Sequence, residues 1–471
     1  MTPDEFRHYG HKLIDWIADY RGTLANRPVM ASVEPGQVIA ALPAEPPATS
    51  ESFDGVMADL ESIILPALTL WQHPRFFGYF PANSSLSSVL GDLLSTGLGV
   101  LGLNWQASPA LTELEAVVCD WLRQMVGLSE NWSGVIQDTA STANLIALLC
   151  ARERKTLFSL ARGGLQNEAS PSIIYTSSQS HSSVEKAALL SGFGRENVRV
   201  VPHDDNFALR ADALEELVKA DITSGRLPCA VVATTGTTAS TALDPIASIA
   251  EVAVRHNLWF HIDAAMAGAA MILPECRWMW EGVERADSLV LNPHKWLGAS
   301  FDCSVYCVRD PEHLIRVMLT SPSYLRTTAD GQVKNYRDWG IALGRRFRAL
   351  KLWCLIRSEG VSGLQARLRR DMENAHWLAD QIARRENWQV VAPVPLQTVC
   401  VRHEPPGLDG ESLDAHTRSW ADRVNRSGKA FLTPATLGGR WMVRISVGAE
   451  RTERTDVEAL WEVMKKEAEG G

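Results

Sequence analysis

Between residues 134 and 310, short apolar runs alternate with stretches of helical periodicity, and this alternation constrains the fold more than anything else in the chain. The strand candidates are 134–137, 172–176, 198–201, 229–234, 258–262, 287–291 and 303–308. Helical patterns fill the gaps at 142–154, 181–191, 211–221 and 245–256. Strands that are apolar almost throughout, rather than at alternate positions, are buried on both faces, as in a parallel sheet covered by helices. The expectation is an α/β fold on a mostly parallel seven-stranded sheet.

The flanks read differently. Residues 4–22 form an amphipathic helix pattern with Phe6, Leu13, Ile14, Ile17 and Ala18 near one face, and a proline-rich connector covers 31–50. Helical patterns resume at 53–71 and 86–125, and Thr112 with Glu115 three residues on reads as the capping box of a helix over 112–126. Beyond a polar loop at 320–338 come helices at 342–358 and 361–386, short strands at 388–392, 397–402 and 441–447, and a last helix at 453–467. The predicted organisation is an N-terminal helical segment (1–85) packing on a partner subunit, a large α/β domain (86–375), and a small C-terminal α+β domain (376–471).

Charge and composition exclude several classes. The net charge is −9 without a long basic run, which argues against nucleic acid. The longest apolar stretches carry Gly, Ser or charges and are too short to span a bilayer. The acidic N-terminus lacks the form of a signal peptide. The eight cysteines are scattered, with no spacing that suits a metal site, so free thiols in a cytoplasmic protein are expected.

Two segments carry the chemistry. His261-Ile262-Asp263-Ala264-Ala265 and Asn292-Pro293-His294-Lys295-Trp296 each end an apolar run. In open α/β sheets ligands bind beyond the carboxyl ends of strands. A carboxylate and a primary amine delivered there from two strands meet the needs of pyridoxal 5'-phosphate (PLP): Lys295 condenses with its aldehyde, and Asp263 keeps its ring nitrogen protonated. Ala264 and Ala265 let a flat ring approach the backbone. Thr139, Ala140 and Ser141 stand where a strand runs into a helix, which suits either a phosphate or an ordinary N-cap. His181 opens a helix, as a cap or as a ring-stacking imidazole, and Thr235-Gly236-Thr237-Thr238 is a turn that brings hydroxyls to the same edge. Tyr324, in the polar loop, is a surface aromatic or a proton donor on a closing lid.

Over nearly its whole length the chain resembles the group II PLP-dependent decarboxylases, in particular the aromatic-L-amino-acid (DOPA/tryptophan) decarboxylases, with bacterial DOPA decarboxylases nearest. The resemblance rests on His73-Pro74-Arg75-Phe76, Tyr79-Phe80-Pro81, Ser108-Pro109-Ala110, Gly134-Val135-Ile136-Gln137, His181-Ser182-Ser183, the two segments above and Gly344-Arg345-Arg346-Phe347-Arg348. It implies a fold-type-I PLP enzyme and a homodimer with the active site at the interface. By position Lys295, Asp263, His181 and Tyr324 are implied as catalytic, and Thr139, Ala140, Ser141, Thr238, Ala265, Asn292 and His294 as lining the cofactor. Trp71, Tyr79, Phe80, Pro81, Ala82, Leu101 and Leu103 are implied around the substrate ring, with Leu101 and Leu103 coming from the other subunit. Ala82, Leu103 and Met266 depart from the animal enzymes, which have Thr, Phe and Tyr there, and Gly344 matches plant enzymes that favour indoles. The implied reaction is decarboxylation of an aromatic L-amino acid, with an oxidative aldehyde synthase as the rival on the same fold.

Overall fold

The structure is a computed structural model that describes residues 1–320, 329 and 331–470. The strands of the larger sheet are β1 (Ser133–Gln137), β2 (Ser172–Ser177), β3 (Val198–Val201), β4 (Leu227–Thr234), β5 (Trp259–Asp263), β6 (Ser288–Leu291) and β7 (Ser304–Val308). Their order is β1-β7-β6-β5-β4-β2-β3. Only β7 runs against its neighbours; β6, β5, β4, β2 and β3 are mutually parallel. Every residue of β2, β5, β6 and β7 is buried. That two-sided burial is why the sequence reads as unbroken apolar runs there.

The helix Ala140–Lys155 covers the middle of this sheet with small residues, Ala143, Ala147 and Ala151, and with Ile146 and Cys150. Small side chains bring its axis close to the strands, so the helix N-terminus arrives at the carboxyl edge. None of the eight cysteines is paired in a disulfide, and seven are buried.

The chain divides into two compact units. One contains the larger sheet and spans Ala82–Met372 with Ala392–Thr398. The other joins Met1–Pro81 to Glu373–Val391 and Val399–Gly471. A four-stranded sheet has the order β10-β11-β9-β8, where β8 is Trp388–Val390, β9 Thr398–His403, β10 Thr433–Leu437 and β11 Arg440–Ser446. Trp388 packs edge-on against Trp420 (5.7 Å) and Trp461 (4.9 Å) from the helices Gly410–Arg426 and Arg454–Glu469.

Two expectations need correction. The helix expected to start at Thr112 starts at Pro109, and the capping box is absent. Pro at the first helical position suits the helix because its missing N–H costs no bond. Thr112 lies inside the helix and donates to the Ser108 carbonyl (3.1 Å). Glu115 is instead a buried partner of Arg345, bonded at 2.9 and 2.6 Å. The helix expected from 342 begins at Ala349. The preceding residues are committed elsewhere, because Arg345 exchanges backbone hydrogen bonds with Gly102 at 2.9 and 3.1 Å.

The Arg345–Glu115 pair also holds β1: Arg345 donates to the Ile136 carbonyl (2.7 Å), and the Ile136 N–H donates to Glu115 (2.9 Å). Removing one partner leaves a buried charge uncompensated. Glu115→Ala is therefore expected to cost about 3–5 kcal/mol, and Glu115→Gln less. Denaturant midpoints of the two variants against the parent check this; equal midpoints would refute it.

Candidate active site

Parallel register sets Asp263, the last residue of β5, beside Thr234 of β4 and Val290 of β6. The turns that follow are tied by backbone. The Ala264 N–H donates to the Val290 carbonyl (3.0 Å), and the Asn292 N–H donates to the Ala265 carbonyl (2.9 Å). The Asp263 turn and the Asn292–Trp296 turn thus leave the sheet side by side, with the carboxylate and the Lys295 amine at one edge.

Lys295 sits half-buried in the turn Pro293–Leu297, off helical backbone (φ −95°, ψ −112°), between buried His294 and Trp296. Trp296 Nε1 donates to Asp371 (2.9 Å), and Arg367 donates to the carbonyls of Trp296 (3.3 Å) and Leu297 (2.5 Å), which fixes the turn. After β4, Gly236 (φ +86°) closes down on the Asp263 turn. A Cβ there would stand 2.6 Å from the Ala267 Cβ, so only glycine permits the approach that leaves Thr238 half-buried at this edge.

Asp263 is 4% exposed and accepts hydrogen bonds from Asn144 Nδ2 (3.1 Å) and the Ala265 N–H (3.0 Å). His181 caps the helix Ser182–Leu190, accepting at Nδ1 from the Ser183 N–H (3.1 Å). Desolvation holds its imidazole below the ordinary value; the Asp263 charge opposes that shift and the Lys295 charge adds to it, so both charges reach the ring. Hydrogen bonds through Ser183 and Asn144 join His181 to Asp263.

The residues expected at the phosphate gather at two starts. The helix Ala140–Lys155 has Thr139 at its N-cap with no side-chain cap bond, which leaves first-turn N–H groups available beside Ala140 and Ser141. His294 Nδ1 accepts from the Cys303 N–H (2.9 Å), so its one ring proton sits on Nε2, and burial pushes its pKa down to about 4. Asn292 Oδ1 accepts from the Ser304 hydroxyl (2.6 Å).

The residues expected around the substrate ring fall in two groups. Trp71 and Tyr79 stack (5.4 Å, 9°) and are 40% and 49% exposed; Phe76 stacks on Phe431 (5.2 Å). Phe80 lies under the Arg444 guanidinium (3.9 Å), and Pro81 is buried. In the larger unit Leu101 is exposed, and Ala82 and Leu103 are half-buried. The Gly102–Arg345 backbone pair runs residues 101–103 alongside 344–346, and a Cβ on Gly344 would lie 3.3 Å from a Leu101 methyl. Tyr324 lies outside the described residues. Sequence reasoning gave no role to Asn144 and Ser183, which bond to Asp263 and His181; Ser183 closes the His181-Ser182-Ser183 motif, whereas no local pattern marks Asn144.

A family model described as the pyridoxal-dependent decarboxylase conserved domain matches residues 35–404. Phenylacetaldehyde synthase of Arabidopsis thaliana is 39% identical over 99% of this chain and 96% of its own length. Tryptophan decarboxylase 2 of Oryza sativa subsp. japonica is 39% identical over 99% of this chain and 95% of its own. The crystal structure of Oryza sativa TDC with PLP and tryptamine superposes with a TM-score of 0.96 at 37% identity, covering 100% of this chain and 99% of that one. These relatives are plant proteins, so the expectation that bacterial DOPA decarboxylases stand nearest is not supported. The chain belongs to the pyridoxal-dependent decarboxylase family and is a PLP-dependent carboxy-lyase of fold type I.

Proposed function

We propose that the chain decarboxylates aromatic L-amino acids to the corresponding arylalkylamines and CO2. The observation that carries the reading is the meeting of Asp263, Lys295 and His181 at one sheet edge, in a chain 39% identical over 99% of its length to a tryptophan decarboxylase. The residues fit PLP. A buried carboxylate bonded to neutral donors complements a cationic ring nitrogen, and an uncapped helix start with the His294 Nε2–H complements a phosphate.

Lys295 would hold the cofactor covalently, with Asp263 at its ring nitrogen and His181 against its face. Thr139, Ala140, Ser141, Asn292 and His294 would surround the phosphate, and Thr238 and Ala265 the ring. PLP supplies the electron sink for the pair left on Cα as CO2 departs. His181 would orient the substrate carboxylate for that departure, and Tyr324 would deliver the proton to Cα. Trp71, Tyr79, Phe80, Pro81 and Ala82, with Leu101 and Leu103 contributed by a second copy of the chain, would line the place of the aromatic ring.

A cytoplasmic homodimer completes the reading. The helix Leu86–Leu98 buries only Ser88, Gly91 and Ser95 and leaves Leu86, Leu90, Leu93, Leu94 and Leu98 47–60% exposed, an apolar face that a second copy would cover. Sedimentation at the mass of a single chain would refute it.

The aldehyde synthase reading draws on the 39% identity to phenylacetaldehyde synthase. There the amino acid, O2 and water give aldehyde, CO2, ammonia and H2O2. A product assay decides between the two: amine without H2O2 is expected, and stoichiometric H2O2 and aldehyde would establish the other. By mass spectrometry of the protein, Lys295→Ala is expected to retain no cofactor adduct after borohydride reduction; an adduct still forming would remove Lys295 from its role.

Gly344→Ser places new atoms against Leu101. It is expected to lower kcat/KM for tryptophan about tenfold relative to tyrosine. An unchanged ratio would separate residue 344 from the substrate ring.

A further inference from the structure

Asn144 lies fully buried on the helix Ala140–Lys155 and touches three functional groups with one amide. Its Nδ2 donates to Asp263 Oδ2 (3.1 Å) and to Ser183 Oγ (2.9 Å), and its Oδ1 faces His261 Nε2 (2.8 Å). The direction of every bond follows from chemistry. A carboxylate only accepts, so the NH2 side of the amide must face Asp263. The carbonyl side then faces His261, and His261 must carry its proton on Nε2.

With Nε2 protonated, His261 Nδ1 is a bare lone pair and accepts from the Ser288 hydroxyl (2.8 Å), which in turn accepts from Trp259 Nε1 (2.9 Å). On the other branch Ser183 Oγ accepts from Asn144 and lies 2.7 Å from His181 Nδ1. His181 Nδ1 already accepts the Ser183 N–H (3.1 Å). The imidazole is therefore held neutral with its ring proton on Nε2.

We propose that Asn144 is a positioning residue that sets the Asp263 carboxylate and the His181 ring together, through Ser183. This rests on the reading of Asp263 and His181 as the groups facing the cofactor ring. Two donors and one acceptor on a short neutral side chain are what the three neighbours require. An aspartate would set a second carboxylate against Asp263 and offer Ser183 no donor. An alanine would leave Asp263, Ser183 and His261 each one bond short in a buried site.

A purely structural asparagine predicts lower stability and an unaltered cofactor site. The test uses the full-length holoenzyme in three forms, Asn144→Asp, Asn144→Ala and Ser183→Ala. It reads the PLP Kd by equilibrium dialysis, the visible circular dichroism of bound PLP, and kcat and KM separately. Both Asn144 variants are expected to raise the Kd about ten- to hundredfold and to change the dichroism of the cofactor. Ser183→Ala is expected to leave the Kd near that of the parent and to lower kcat about three- to tenfold. Parental Kd and dichroism in the Asn144 variants would overturn the inference while leaving the cofactor reading intact. If those variants fail to fold, Ser183→Ala decides alone, and an unchanged kcat overturns the proposal. A parent chain that takes up no PLP would overturn the cofactor reading and this inference with it.

Discussion

The Asp263 carboxylate, buried at the end of a central strand, is the constraint around which the ligand edge is built. Burying an ionised carboxylate costs several kcal/mol even after the protein relaxes. Two neutral donors, the Asn144 amide and the Ala265 N–H, offset part of that. On the proposed function a cationic ring nitrogen against the remaining oxygen surface would offset more, and its binding would stabilise the folded state by ordinary linkage. Parallel register puts the carboxylate where this is useful. Asp263 pairs with Val290, and the chain that continues from β6 reaches Lys295 within a few residues. The neighbouring placement of the Asp263 and Lys295 turns is thus a consequence of sheet pairing rather than of loop placement.

That origin explains what was legible in the sequence. Strands buried on both faces are unbroken apolar runs, so their ends, and the Asp and Lys just past those ends, stood out without any structure. The helix start at Thr139 was legible for the same reason, since it follows β1 directly. Asn144 was not. In sequence it is one of several polar residues in its helix; its partners Ser183, His261 and Asp263 are 39, 117 and 119 residues away. Hydrogen-bond chains of this kind are written in three dimensions only.

Elsewhere the misreadings also have physical causes. Thr112 with Glu115 has the spacing of a capping box, but the helix has already begun at Pro109, and Glu115 pairs with the buried Arg345 instead. No helix is expected at Gly410–Arg426, where polar and charged residues outnumber apolar ones. Its buried Leu413, Thr417, Trp420, Ala421 and Val424 nonetheless keep helical spacing, so the signal was there. The strand β10 contains Pro434, which argues against a central strand and is accommodated because β10 is at the edge of its sheet.

The rigidity around Gly344 bears on how selectivity is set. Arg345 is fixed through its guanidinium to Glu115 and to the Ile136 carbonyl, and through its backbone to Gly102. The residue before it therefore cannot shift to make room, and the neighbouring Leu101 lies on the strand-like segment held by the same backbone pair. In a flexible loop an added methylene is absorbed by movement, and discrimination between rings stays weak. Here the scaffold converts side-chain volume at a single position directly into the space left beside Leu101. On the proposed function, selectivity between a two-ring and a one-ring substrate would depend on volume at residue 344, while Asp263, Lys295 and His181 stay as they are.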